Sequence, residues 1–362
     1  MPQNPINTDK ATSIRKGEEF DIASLQKFLQ QHLGGGNGQL VLEQFPGGAS
    51  NLTYLIHLGD QQLVLRRPPF GANIKSAHDM GREYRVLSAL SKSYDKAPKP
   101  LLYSEDTAII GAPFYVMERI EGVILRADGG AAKSLEKSVV YDIAEALMDT
   151  LAQLHALDYQ EIGLGQLGKP EGYVARQISG WTKRYFKAKT DEVPALEKAA
   201  KWLSENLPKE TAAALIHNDF KHDNVVLDPN DLTNVIAILD WEMCTIGDPL
   251  MDLGTTLGYW SNPNDPDLLR LSFPNPSILP GNPSRSELLE LYARKSGRDV
   301  GNFVFYYVYG LFKIAVIVQQ IYHRYKHGFT QDKRFAQMDK LVAGFGQMAA
   351  RAIERQRVDD LF

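Results

Sequence analysis

A single cysteine, Cys244, is all the thiol this chain possesses. One thiol excludes an intramolecular disulfide and a cysteine-rich zinc site, and it fits a reducing compartment. An excess of charge of either sign is missing too: 40 Lys and Arg against 44 Asp and Glu leave a formal net charge of −4. Such a balance supplies no electrostatic drive toward nucleic acid or an anionic membrane, so neither is expected as a partner. The opening stretch MPQNPINTDKATSIRKGEEF lacks the apolar centre of a secretory signal, and a cytoplasmic location is expected. Long hydrophobic runs are scarce. The exception is FVFYYVYGLFKIAVIVQQIY at 303–322, which Lys313 interrupts and Gln319 and Gln320 close. With no second run beside it, this reads as a buried helix rather than a membrane span of roughly twenty apolar residues.

At 362 residues the chain exceeds the size at which one hydrophobic core stops growing, so two lobes are expected. Ile22, Leu25, Phe28, Leu29 and Leu33 recur at helical spacing, and the glycines from Gly34 end that helix. Three apolar runs of strand length follow, QLVLEQF (39–45), LTYLIHL (52–58) and QLVLRRP (62–68), joined by short Gly-containing turns as a meander of hairpins. SAHDMGREYRVLSALSKS is helical, with Met80, Tyr84, Leu87 and Leu90 on one face, and APFYVMERI (112–120) is a further strand. Beyond residue 133 helices dominate, near 171–188, 192–206, 284–296, 301–327 and 331–356, and short strands occur at 214–217, 224–228 and 235–239. A β-rich first part and a helical second part predict a bilobal α+β protein. The expected organisation is an arm and helix over 1–34, a sheet lobe over 35–121 and a helical lobe over 122–362.

HNDFKHDN, residues 217–224, concentrates polar groups between apolar strands. A plain turn uses Asp and Asn for backbone hydrogen bonds. A site that binds a metal and moves a proton uses the same residues differently. A hairpin over 225–239 would return Asp240 beside Asn224, pairing a carboxylate with an amide and leaving Asp219 as a separate carboxylate. Hard oxygen donors without sulfur suit Mg²⁺, which keeps few protein ligands and completes its shell with phosphates.

The octapeptide resembles the H-x-D-x-K-x-x-N catalytic loop of protein kinases and aminoglycoside-phosphotransferase-like kinases. ILDWE followed by GDPLMDLG resembles the metal-binding strand and following turn of the second group. The resemblance implies a protein-kinase-like fold and transfer of a phosphoryl group from ATP, with Mg²⁺, to a small-molecule hydroxyl. It implies Asp219 as the base, Lys221 at the transferring phosphate, and Asn224 and Asp240 as metal ligands, with His217 bracing the loop. PGGASNLTY (46–54) resembles the phosphate-covering loop, with Ser50 and Asn51 as donors. Arg66 occupies the place where the fold normally has a lysine for the α- and β-phosphates. Glu83 is its implied ion-pair partner, and Glu118 and Ile120 are implied contacts of the adenine. LAQLHALD (151–158), GYVARQISGWTKRY (172–185) and VIAILDWEMCTIGDPLMDLG resemble the kinase-like domains associated with acyl-CoA dehydrogenases, which favours a hydroxyacyl acceptor. Asn218 departs from the aminoglycoside-kinase pattern, which has Gly there, and the chain carries no dehydrogenase domain.

Two other functions compete: a kinase fold that binds nucleotide without catalysis, and an aminoglycoside or other small-metabolite kinase. A phosphohydrolase built on His222 and Asp223 would need further His and Asp at helical spacing, and the sequence has no such set. His155 lies on an apolar stripe and reads as a core histidine, Asp248 and Asp252 as loop-holding acids, and Cys244 as a small buried residue. Arg176, Gln177 and Trp181 either line an acceptor pocket or pack helices. The basic residues Arg285, Arg294, Lys295, Arg298, Arg324 and Lys326, with the aromatics of 303–312, are expected near the acceptor, or the aromatics form core.

Overall fold

A computed structural model describes residues 10–34, 38–45, 51–70, 79–126, 132–209, 212–272 and 275–362. Helix α1 (Ile22–Leu33) begins where the Asp21 carboxylate accepts from the Ala23 and Ser24 amides, and it ends at Gly34 with φ of 72°. Strands β1 (Leu40–Gln44), β2 (Leu52–Leu58) and β3 (Gln61–Arg67) form the expected meander. Helix α2 (Met80–Leu90), strand β4 (Pro100–Ser104), the short helix α3 (Thr107–Ile110) and strand β5 (Phe114–Glu118) complete this part. The result is an antiparallel five-stranded sheet in the order β1-β2-β3-β5-β4. Strand β4, which opens on Pro100, was not anticipated, and an edge is where a strand tolerates proline.

Alternation along the strands sorts the side chains. Leu63, Leu65, Phe114 and Val116 face α1 in one apolar cluster with Leu25, Leu29 and Ile56. Val64, Tyr115 and Met117 face the other way and join the main core through α2. Arg66, two residues beyond Val64, is thereby delivered to the same inner face. The chain leaves the sheet through Gly122. A Cβ there would lie 2.7 Å from the Leu227 carbonyl oxygen, so only glycine lets the connection run this close to the next strands.

The remainder is built on α4 (Lys137–Ala156), α5 (Tyr173–Ala188) and α6 (Pro194–Glu205), followed by the short strands β6 (Ala214–Ile216), β7 (Val225–Leu227), β8 (Val235–Ile238) and β9 (Thr245–Gly247). Strands β7 and β8 form a hairpin, and β6 pairs with β9. Helices α7 (Pro249–Tyr259), α8 (Asp267–Ser272), α9 (Arg285–Ser296), α10 (Phe303–Lys326) and α11 (Met338–Arg355) follow. GDPLMDLG is therefore a helix start rather than a turn, with the Leu250 amide donating to the Asp248 carboxylate at 2.8 Å. The bilobal α+β architecture read from the sequence is the one found.

Helix α10 is the one described helix long and apolar enough to cross a membrane, and it is instead buried within the protein from Phe303 to Gln319. It crosses α7 so closely that a Cβ on Gly254 or Gly310 would run into the backbone of the opposite helix. The aromatics from Phe303 to Phe312 are core, packed on all sides.

Candidate active site

The polar loop begins where β6 ends, and its backbone is held from below. The Asp252 carboxylate on α7 accepts from the His217 amide at 2.7 Å and the Asn218 amide at 2.8 Å. His155 on α4 lies 3.2 Å from the same carboxylate, and its other ring nitrogen is 2.8 Å from the Tyr292 hydroxyl. Burial raises the Asp252 carboxyl, and the hydrogen bond from His155 with the charges and donors around it outweighs that, leaving it below the usual range. The His217 Nε2 donates to the Leu239 carbonyl at 3.0 Å, because a carbonyl can only accept. That fixes the tautomer and leaves Nδ1 to accept from the Asp219 amide at 3.3 Å. Burial holds the His217 imidazole below its ordinary pKa, which favours this neutral form.

Asn218 has φ of 68°, a left-handed conformation that Asn and Gly enter most readily. Its identity where the resemblance expects Gly is thus the same backbone solved by another residue. Asp240 also has φ of 68°, at the turn after β8. The Leu239 amide donates to the Asn224 carbonyl at 2.8 Å, so the β7–β8 hairpin does return Asp240 to Asn224.

On the loop, Lys221 Nζ contacts both oxygens of Asp219, at 2.9 and 2.7 Å. Asn224 donates its side-chain amide to the Asp219 carbonyl at 2.9 Å and to its Oδ2 at 3.0 Å. The Asp219 carboxylate is thereby held by two neighbours at fixed orientation. Burial works against the Lys221 charge, but the Tyr259 ring 4.9 Å away and Asp219 beside it push its pKa up.

Across the cleft, Arg66 donates through Nη1 to Glu83 at 2.9 Å and through Nη2 to Asp240 at 2.8 Å. Glu83 is 1% exposed, and burial raises its carboxyl while Arg66 opposes the rise. For Asp240 burial again raises and Arg66 lowers, and here the arginine prevails. The Asn51 amide donates to Glu242 at 2.6 Å, and Arg66 lies 3.6 Å from the same carboxylate. Glu118 accepts the Lys99 amide on its side chain at 2.9 Å and donates its own amide to the Lys99 carbonyl at 3.0 Å.

The groups that face the cleft line one cavity of about 630 Å³. Asn51, Arg66, Glu83, Glu118, Ile120, Asp219, Lys221, Asn224 and Asp240 are brought together there, although the sequence distributes them over almost 190 positions. Ser50 lies outside the described residues. Glu242 and Tyr259 also line the cavity and were not singled out from sequence. Glu242 follows Asp240 by two residues, a usable signal, whereas nothing local marks Tyr259. Arg176, Gln177 and Trp181 line a second cavity of about 360 Å³ that touches Asn218. The basic residues after 250 do not gather there. Arg285 is buried against Asp265, Lys295 pairs with Glu145, Lys326 pairs with Asp191, and Arg298 donates to the His155 carbonyl. Cys244 is buried, and burial pushes its thiol up.

A family model described as the phosphotransferase enzyme family matches residues 41–272. Acyl-CoA dehydrogenase family member 11 of Homo sapiens is 39% identical over 319 residues, which are 86% of this chain and 40% of that protein. The chain therefore spans well under half the length of this curated relative. A solved structure from Ralstonia eutropha JMP134, assigned as an aminoglycoside phosphotransferase, is 30% identical with a TM-score of 0.79, covering 93% of this chain and 99% of its own. Aminoglycoside phosphotransferase APH(4)-Ia, solved with AMP-PNP and hygromycin B, has a TM-score of 0.55 at 17% identity, covering 89% of this chain and 98% of its own, and speaks to the fold alone. With the family model spanning more than half of its residues and a 39% identical relative along most of its length, the chain belongs to the phosphotransferase enzyme family.

Proposed function

We propose that the chain is a small-molecule kinase that transfers the γ-phosphoryl group of ATP, in the presence of Mg²⁺, to a hydroxyl group. The observation that carries this reading is the convergence of Asn51, Arg66, Glu83, Glu118, Ile120, Asp219, Lys221, Asn224 and Asp240 on one cavity, whose volume is that of an ordinary cofactor site. In this reading the sheet part over 35–121 holds the nucleotide and the part over 122–362 supplies the catalytic loop and the acceptor site.

Asp219 accepts the proton of the acceptor hydroxyl as its oxygen bonds to the γ-phosphorus. The bond from that phosphorus to the β–γ bridging oxygen breaks, and ADP leaves with the electron pair. The clamp of Lys221 and Asn224 on Asp219 orients the carboxylate, and Lys221, which lines the same cavity, is the cation for the transferring group. The donor set suits Mg²⁺. Asn224 commits its amide hydrogens to Asp219, which leaves its oxygen as the ligand atom, and Asp240 gives Oδ1 to Arg66 and keeps Oδ2. When bound, the ion would neutralise charge on the phosphates. Arg66 is the cation for the α- and β-phosphates, pre-oriented by Glu83, and its fork differs from a lysine in geometry. Asn51 and Ser50 serve the phosphate loop. The Glu118 amide is already committed to Lys99, so the adenine edge is met by the Ile120 amide.

The acceptor in this proposal is a hydroxyacyl compound, free or as a CoA thioester, in line with the relationship to acyl-CoA dehydrogenase family members. The test is ATP consumption with Mg²⁺ against a panel of 3- and 4-hydroxyacyl compounds and kanamycin-like sugars. Stimulation by the hydroxyacyl compounds is expected. Phosphorylation of aminoglycosides at ordinary efficiency would overturn the acceptor while keeping the kinase chemistry. Nucleotide binding with no turnover on any acceptor would make the chain a binding module.

A further inference from the structure

The second cavity differs from the first in its charge. Helix α5 sets Tyr173, Gln177, Trp181 and Arg184 on one face, at spacings of four, four and three, and this face looks toward α10. Lys169, Arg176, Arg184 and Lys313 line the space, and among the described residues no carboxylate does. Among the described residues none of these four cations forms an ion pair with an acid. Arg176 instead donates to the Lys169 and Glu171 carbonyls, and Arg184 lies 4.5 Å from the centre of the Trp181 ring.

Lys313 is the unusual member. It interrupts the most apolar helix of the chain, is 2% exposed, and donates to the Asn218 carbonyl at 2.7 Å. A carbonyl satisfies one of its three hydrogens and brings no counter-charge. Burial pushes its ammonium down to about 8, against the opposing pull of the Asp219 and Asp252 charges, neither of which touches it. The residue it holds, Asn218, precedes Asp219. The two cavities also share Met243 as a wall, and Ile317, one turn beyond Lys313 on α10, lines the first. A ligand seated in the second cavity is therefore next to the Asp219 loop.

We propose that this second cavity is an anion subsite of the acceptor, in which Lys313 at the base and Arg184 at the mouth bind a carboxylate or phosphate group and so place the acceptor hydroxyl at Asp219. The inference rests on the phosphotransfer reading for its purpose, but the anion site itself does not depend on turnover. A polycationic acceptor is disfavoured by the same charges that recruit an anion.

The test is calorimetric titration of the full chain with 4-hydroxypentanoate, 4-hydroxypentanoyl-CoA and the neutral 4-hydroxypentanamide, with and without saturating AMP-PNP and Mg²⁺. At least one anion should bind roughly tenfold or more tightly than the amide, and Arg184→Gln and Lys313→Met should each reduce that preference by a similar factor. Preference for the free acid identifies a carboxylate, and preference for the thioester alone identifies the carrier's phosphates. Arg184 is exposed, so its variant reports even where loss of the Lys313 bond to Asn218 disturbs folding. Equal affinity for the amide and both anions, or a preference that survives in Arg184→Gln and in folded Lys313→Met, would overturn the subsite. Failure of AMP-PNP to bind would instead count against the kinase reading, with the anion preference still judged in the nucleotide-free titrations.

Discussion

Removing Arg66 tests the electrostatic frame of the cleft. Its guanidinium is the partner of Glu83, which is 1% exposed, and of Asp240. Arg66→Ala leaves the Glu83 carboxylate buried without a cation, and breaking a buried pair from one side costs about 3–5 kcal/mol. A chain of this size loses on the order of 2 °C per kcal/mol, so a fall of roughly 6–10 °C in the thermal midpoint is expected. Arg66→Met with Glu83→Gln should recover most of it, since removing both charges leaves no orphan ion. The sign with pH follows from the carboxyls. Arg66 lowers both Glu83 and Asp240, so without it both folded-state pKa values rise. A carboxyl raised above its unfolded value binds more protons in the folded state, so stability falls as pH rises through and above about 4.3. The variant's deficit should therefore be small near pH 4 and grow toward pH 7. The assay is thermal unfolding by circular dichroism across that range for parent, single and double variants. A deficit near zero at pH 7, or one that shrinks as pH rises, would refute the ion-pair account.

Three further outcomes follow from the same site. Arg66→Lys should keep the fold but restore the KM for ATP only partly, because one ammonium cannot reach Glu83 and Asp240 with the two-armed geometry seen here; steady-state kinetics checks this. Asp240→Ala should weaken nucleotide binding only when Mg²⁺ is present, and an unchanged magnesium requirement in calorimetry would place the ion elsewhere. Asn218→Gly and Asn218→Ala both lose the side-chain bond to the Met243 carbonyl, and alanine should be the less stable of the two by about 1 kcal/mol, since it resists φ of 68°; denaturant unfolding of the two variants decides.

Much of the geometry of the 217–224 loop was legible because its information is local. The spacing of Asp219, Lys221 and Asn224 and the hairpin that returns Asp240 depend only on residues 214–240. Arg66 was placed by the resemblance, and strand alternation from the core residue Val64 explains why it faces inward. What escaped depends on packing between distant elements. Lys313 looked like an interruption of an apolar run, and only the approach of α10 to the loop turns it into a partner of Asn218. Tyr259 meets Lys221 through the far end of α7, a helix whose first residues look like a turn in sequence. The aromatics of 303–312 carried no periodicity that could separate cleft from core, because α10 is buried on every side. The basic residues after 250 were countable in sequence, but their acidic partners, such as Asp265 and Asp191, were assigned only by the fold.

The proposed function rests on Asp219 moving a proton in a phosphoryl transfer. The most direct measurement is single-turnover ADP formation from Mg²⁺-ATP with a 4-hydroxyacyl acceptor, comparing the parent with Asp219→Asn. The substitution preserves size while removing basicity, so nearly unchanged nucleotide affinity and a rate lower by roughly 10² or more are expected. A variant that turns over at the parent's rate would contradict the assignment of Asp219 as the base.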